Sequence, residues 1–190
     1  FEALVDQLVA TVEASRAHRS PATVEAATTP VAGGSSNRRQ LHGPVDPDLS
    51  LVRFTPEGEA PVDLVSFSAH PVVVSEGASH LISADYPGAL CSRIEAAGNR
   101  ALFVQGAVGA LSPLFPEFPM QVDVHLELMA DVLEGGWNRA SRALEPLAAD
   151  GPVAFQILRL PLPPVTARFF PENLRFHRHA ERALRSEERR

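Results

Sequence analysis

Four short stretches of this sequence carry residues able to do chemistry. Ser66-Phe67-Ser68-Ala69-His70-Pro71 places a histidine at the end of an apolar run. A neutral imidazole on a rigid strand end is a good metal ligand, although a lone histidine also serves as a hydrogen-bonded core or surface residue. Phe103 to Pro113 runs from an apolar stretch into Gly106, Gly109 and Ser112-Pro113. Glycines let a substrate approach the backbone, and a serine there can attack a carbonyl or donate to an oxyanion; it can equally be a turn serine. The pattern is not the G-x-S-x-G elbow, since Leu111 precedes Ser112 and no glycine follows within Pro113 to Phe115. Arg38, in Asn37-Arg38-Arg39, offers a guanidinium fork for a carbonyl or carboxylate, or a solvated charge. Asp85, in Ser83-Ala84-Asp85-Tyr86-Pro87, stands before a helical pattern, where capping is the ordinary duty of a carboxylate. His177 and His179 lie two apart on a helical pattern and so face apart, and Asp46 and Asp48 read as turn residues.

The elements that hold these groups follow from apolar periodicity. Phe1, Leu4, Val5, Leu8, Val9 and Val12 predict an amphipathic helix to about residue 17 that packs on a sheet, ended by Pro21. Thr23 to Ala27 predicts a short strand, and residues 32 to 48 a long polar loop. Leu49 to Phe54 and Val62 to Ser68 predict a hairpin turning at Pro56 to Gly58. After a loop through Gly77 to Asp85, Gly88 to Ala97 predicts a helix closed by Gly98, and Ala101 to Gln105 a buried strand. Pro116 and Pro119 predict irregular chain; Val122 to about Ala149 predicts helix, divided or kinked at Gly135-Gly136. Val153 to Leu160 reads as a strand, Pro161 to Pro164 as an extended connector, and Pro171 to Arg190 as a polar helix. Interleaved strands and helices predict a mixed α/β (α+β) fold, a layered mixed sheet flanked by helices.

Composition narrows the function classes. The 190 residues suit one domain with a real core, at 45% hydrophobic and 21% charged residues. A net charge of -6 argues against a nucleic-acid partner, which needs a clustered basic surface. All 17 basic residues are arginines, a compositional bias rather than a motif. The single cysteine, Cys91, excludes an internal disulfide and reads as a packing residue. No apolar run approaches the ~20 residues of a membrane span. Phe1 opens inside a helical pattern and Arg190 closes inside another, so both ends look cut.

Taken in order, Asn37-Arg38, Ala69-His70-Pro71, Ile82-Ser83-Ala84-Asp85-Tyr86-Pro87-Gly88, Phe103-Val104-Gln105-Gly106-Ala107 and Gly109-Ala110-Leu111-Ser112-Pro113 resemble the neutral/alkaline non-lysosomal ceramidase family. The resemblance covers about residues 1 to 115. It implies that residues 1–190 are part of one catalytic domain, incomplete here, of a zinc-dependent amidohydrolase that cleaves the N-acyl amide of ceramide or a related lipid amide. It implies His70 as one zinc ligand, Ser112 as nucleophile or hydrogen-bond donor, and Arg38 as a holder of the reacting carbonyl. Asp85 and Tyr86 match a segment that shapes the substrate site. The family's other histidine, glutamate and tyrosine ligands of Zn2+ have no match here and are expected outside this segment, and Ala110 replaces the family's usual Asp or Asn. These departures keep a second reading open, a catalytically inactive relative retained as a binding or structural module. A third, a metal-independent serine hydrolase using Ser112, lacks evident His and Asp partners. The resemblance also suggests export or a membrane-facing surface with peripheral contact.

Overall fold

Period-two alternation builds the centre of the molecule. The computed structural model describes residues 2–40, 42–74, 82–113, 121–147 and 157. The chain divides into two units, Phe1–Gly151 and Pro152–Arg190. Apart from Ile157, the second unit lies outside the described residues, as do the strand, connector and helix expected in it. So do residues 75–81 of the expected loop and the stretch around Pro116 and Pro119.

In the first unit the elements run α1 (Glu2–Ala17), β1 (Ala22–Pro30), β2 (Ser35–Asn37), β3 (Asp48–Pro56), β4 (Val62–Phe67), α2 (Asp85–Ala96), β5 (Arg100–Gln105), β6 (Leu111–Pro113), α3 (Val122–Arg142) and β7 (Glu145–Pro146). Five strands form one sheet in the order β5-β4-β3-β1-β7, and β2 pairs with β6 in a second, two-stranded ladder. Within the larger sheet β3 and β4 form the expected antiparallel hairpin, whereas β5 joins β4 in parallel. The mixed sheet with helices is the fold class the periodicity predicts.

On one face Leu49 and Leu51 of β3 and Val65 and Phe67 of β4 are buried against α2 and α3. The helices meet them at helical spacing: Tyr86, Leu90 and Ile94 on α2, and Met129, Leu133, Trp137 and Ala140 on α3. Side chains one residue along each strand turn to the other face, where Leu64 is half-buried and its neighbours Leu102 and Val104 are exposed.

Three expectations fail for identifiable reasons. Ala101 to Gln105 forms a strand but not a buried one, because β5 stands at the end of the sheet order and leaves Leu102 and Val104 exposed. Gly135-Gly136 neither divides nor kinks α3, which is continuous from Val122 to Arg142 and ends before the expected Ala149. Gly136 is instead a contact point: a Cβ there would lie 2.6 Å from Val31 Cγ2 and 3.3 Å from Leu49 Cδ1, so glycine lets the helix lie close on the sheet. Helix α1 forms over the predicted residues but packs on no sheet among the described residues. Leu4, Leu8 and Val12 are more than half exposed. Periodicity states that a helix has an apolar stripe, not what covers it. Two smaller differences concern strands: β1 extends to Pro30, and the polar loop contains β2.

Candidate active site

Strand β4, helix α2 and strand β5 form a parallel crossover unit, so β4 and β5 end on the same side of the sheet. The carboxyl ends of adjacent parallel strands are where open sheets bind ligands, because the chain leaves there in loops that need not cover one another. His70 follows the end of β4, and Gly106 to Ser112 follow the end of β5.

The backbone that carries His70 is held from several directions. The Ser68 hydroxyl donates to Asp46 Oδ2 at 2.7 Å and accepts from the Ala107 N–H at 3.1 Å. Gly106 lies so close to Ser68 that a side chain there would collide with the hydroxyl. Gln105 Nε2 donates to the carbonyls of Phe67, at 3.1 Å, and Ala69, at 3.0 Å. The Tyr86 hydroxyl donates to the Ala69 carbonyl at 2.5 Å. Burial pushes that hydroxyl well above the usual phenol range and the Asp85 charge adds to it, against a lowering contact from Gln105, so Tyr86 keeps its proton at neutral pH. Asp85 accepts from the Val74 N–H and from the Tyr86 N–H, each at 2.8 Å.

Asp85 and Tyr86 therefore lie behind the histidine and face inward; Tyr86 is wholly buried. Asp85 does not sit ahead of the helix as a cap. It is the first helical residue, in the left-handed region at φ 54°, and its carboxylate reaches back to Val74. A non-glycine residue held there marks a backbone fixed by its surroundings.

His70, Ser112 and Arg38 converge on the small ladder. The His70 N–H donates to the Leu111 carbonyl at 3.0 Å, laying the histidine segment along β6. On the other side of β6, Ser36 stands opposite Ser112 and Asn37 opposite Leu111. The Arg38 N–H continues the pairing to the Ala110 carbonyl at 2.9 Å, and the Arg38 guanidinium donates to the Gly109 carbonyl at 3.2 Å. Alternation puts Arg38 on the face of Ser36, and cross-strand register puts Ser112 there too. Asn37 holds the turn beyond β2: its Oδ1 accepts the N–H groups of Arg39 and Gln40, both at 3.0 Å, and its Nδ2 donates to the Pro44 carbonyl at 2.9 Å.

The ladder is not saturated with hydrogen bonds. His70 Nδ1 and the hydroxyls of Ser35 and Ser36 are buried without a hydrogen-bond partner among the described residues, as is His125 Nε2 on α3. Such atoms are uncommon in folded proteins and call for an explanation, of which a ligand that completes them is one.

No protein-family model matches the chain, and no curated protein matches it. Among solved structures it is similar to a crystal structure of neutral ceramidase from Pseudomonas aeruginosa, with a TM-score of 0.62 at 21% sequence identity over 75% of this chain. The fold is ceramidase-like. A ceramidase complexed with C2 is similar to the same degree, with a TM-score of 0.62 and 21% identity. This chain spans about a quarter of those ceramidase structures, 26% and 25% of their lengths. Among the described residues no three His, Cys, Asp or Glu side chains stand close enough to hold a metal ion. His70, whose Nδ1 has no hydrogen-bond partner among the described residues, fits a single metal ligand; the described residues do not fit a complete site. No described helix is long and apolar enough to cross a membrane.

Asp46, Gln105 and Ser36 join the neighbourhood without having been marked by sequence as site residues. Gln105 lay within a resembling motif, but nothing about Asp46 or Ser36 in a polar loop distinguished them from turn residues.

Proposed function

We propose that residues 1–190 form part of a ceramidase-like catalytic domain, and that the protein hydrolyses the N-acyl amide of ceramide or a related lipid amide. The observation that carries this reading is the ladder itself. Ser112 and Arg38 share one face of it, and His70 is hydrogen-bonded along its other edge, at the carboxyl ends of two parallel strands.

In this reading His70 contributes one ligand to Zn2+, whose remaining ligands lie outside the described residues. The bound metal would polarise the amide carbonyl and lower the pKa of a water molecule. The Ser112 hydroxyl and the Arg38 guanidinium donate to the oxygen that gains charge as the amide carbonyl becomes tetrahedral. Donors fixed before reaction do not have to reorganise during it, and removing one typically costs ~100- to 1,000-fold in rate. Asn37 and the carbonyl of Gly109 hold Arg38 in place, and the contacts of Gln105, Tyr86 and Asp85 hold the His70 segment. Asp85 and Tyr86 shape the substrate site from behind rather than by touching the substrate.

The test is zinc content together with hydrolysis of a fluorogenic N-acyl-sphingosine by the intact native protein, compared with His70→Ala and Ser112→Ala. The expected result is zinc binding and amide cleavage in the wild type, loss of metal in His70→Ala, and retained metal with a lost rate in Ser112→Ala. A wild-type protein that binds no zinc and cleaves no N-acyl substrate overturns the reading in favour of a binding module that keeps the fold.

A further inference from the structure

We infer that Ser36 is a further substrate-contacting residue of this site, its hydroxyl pairing with that of Ser112 to bracket one oxygen of the reacting amide. The inference rests on the reading above.

Three observations carry it. Ser36 stands directly opposite Ser112 in the antiparallel register of β2 and β6. Residues so paired put their side chains on the same face, with Cβ atoms about 5 Å apart. At that spacing two hydroxyls can pair directly, as the cross-strand partners Thr28 and Ser50 do at 3.3 Å, or share one acceptor atom between them. The Ser36 hydroxyl is also buried and makes no hydrogen bond among the described residues. A buried hydroxyl without a partner forfeits its hydration, so where it shares a face with Ser112 it is open to a ligand that completes it. Finally, Arg38 follows two positions along the same face, which makes Ser36, Ser112 and Arg38 a row of three donors.

Ser35 supplies an internal control. Its hydroxyl is equally buried and unpartnered, yet it pairs with Pro113 and projects from the opposite face. A role that merely supports the ladder would be shared by the two serines; a role toward substrate belongs to Ser36 alone.

The experiment measures kcat/KM for a fluorogenic N-acyl-sphingosine and the thermal midpoint of the intact native protein, for wild type, Ser36→Ala, Ser36→Thr and Ser35→Ala. Loss of one hydrogen bond to a charge-bearing oxygen predicts about a tenfold to hundredfold drop in kcat/KM for Ser36→Ala. Ser36→Thr restores part of the rate, Ser35→Ala keeps the wild-type rate, and no variant lowers the midpoint. Full activity in Ser36→Ala overturns the inference while leaving the ceramidase-like reading intact. Equal losses in Ser36→Ala and Ser35→Ala also overturn it, since they assign the serines to the ladder's integrity. A wild-type protein inert toward N-acyl substrates removes the reading and this inference with it, an outcome recognised before any variant is compared.

Discussion

Strand β4 has a polar cluster at each end, and the two are finished to different degrees. Near its start, the wholly buried Asp63 carboxylate accepts from Arg53 Nε at 2.7 Å and Arg53 Nη2 at 2.8 Å, from Asn99 Nδ2 at 2.9 Å and from Trp137 Nε1 at 2.7 Å. Beyond its end, His70 Nδ1 and the Ser36 hydroxyl are buried with no partner among the described residues. A buried charge costs several kcal/mol unless it is paired and hydrogen-bonded, so the satisfied cluster belongs to the fold and joins β3, β4 and α3. The second cluster is unsatisfied among the described residues, and under the proposed function its open groups are the ones that meet metal and substrate. On that proposal, completeness of hydrogen bonding distinguishes the structural network at the start of β4 from the working one beyond its end.

Removing Asp63 gives the largest expected change in stability. Asp63→Ala leaves Arg53 without its carboxylate and should destabilise the fold by about 3–5 kcal/mol, read from denaturant unfolding. A cost below 1 kcal/mol would break the contrast, because the Asp63 network would then be as dispensable as the ladder's hydroxyls.

Next in size is the closeness of α3 to the sheet. Gly136→Ala drives a methyl group toward Val31 and Leu49, and overpacking of this kind costs about 1–3 kcal/mol. The loss would appear in the thermal midpoint; an unchanged or raised midpoint would show that helix and sheet have slack between them.

Acid sharpens the same comparison. Burial alone would push the Asp63 carboxyl up, but the hydrogen bonds from Arg53, Asn99 and Trp137, with the Arg53 charge, outweigh it and hold the group below the usual carboxylate range. Its contribution is therefore complete above the unfolded carboxylate value of about 3.9 and is lost as pH falls through the lower folded value. Wild-type stability should decline with acid below about pH 4, and Asp63→Asn should show a flatter profile there. Parallel profiles would remove Asp63 from the acid response.

The smallest effect belongs to the surface. Arg93 on α2 contacts Glu127, Asp131 and Glu134 of α3, at 2.6, 2.5 and 2.7 Å, but Glu127 and Asp131 are largely exposed. Solvent screening holds such a network to about 1 kcal/mol or less, so Arg93→Ala should shift the midpoint only slightly, and less in high salt. A loss comparable to that of Asp63→Ala would contradict the distinction between buried and exposed charge.

What the sequence disclosed follows the reach of each interaction. The β3–β4 hairpin and α2 were legible because Leu49, Leu51, Val65, Leu90 and Ile94 repeat at the period of their own element. His70 and Ser112 were legible as chemistry because each follows a strand end. Ser36 was not: β2 is three residues long in a polar loop, and only its pairing with β6, more than seventy residues away, places it opposite Ser112. Gly136 was misread for the same reason, since its partner is the sheet and not its own helix. Asp85 looked like a cap because its link to Val74 depends on a left-handed turn that sequence does not reveal. The stripe of α1 was visible, but its partner was not.

The most direct test of the claim that the unsatisfied ladder is the working part of this molecule is steady-state hydrolysis of a fluorogenic N-acyl-sphingosine by the intact native protein carrying Ser112→Ala, with the thermal midpoint measured on the same sample. The account predicts a rate ~100- to 1,000-fold below wild type at an unchanged midpoint. A variant that cleaves the amide at the wild-type rate would contradict it.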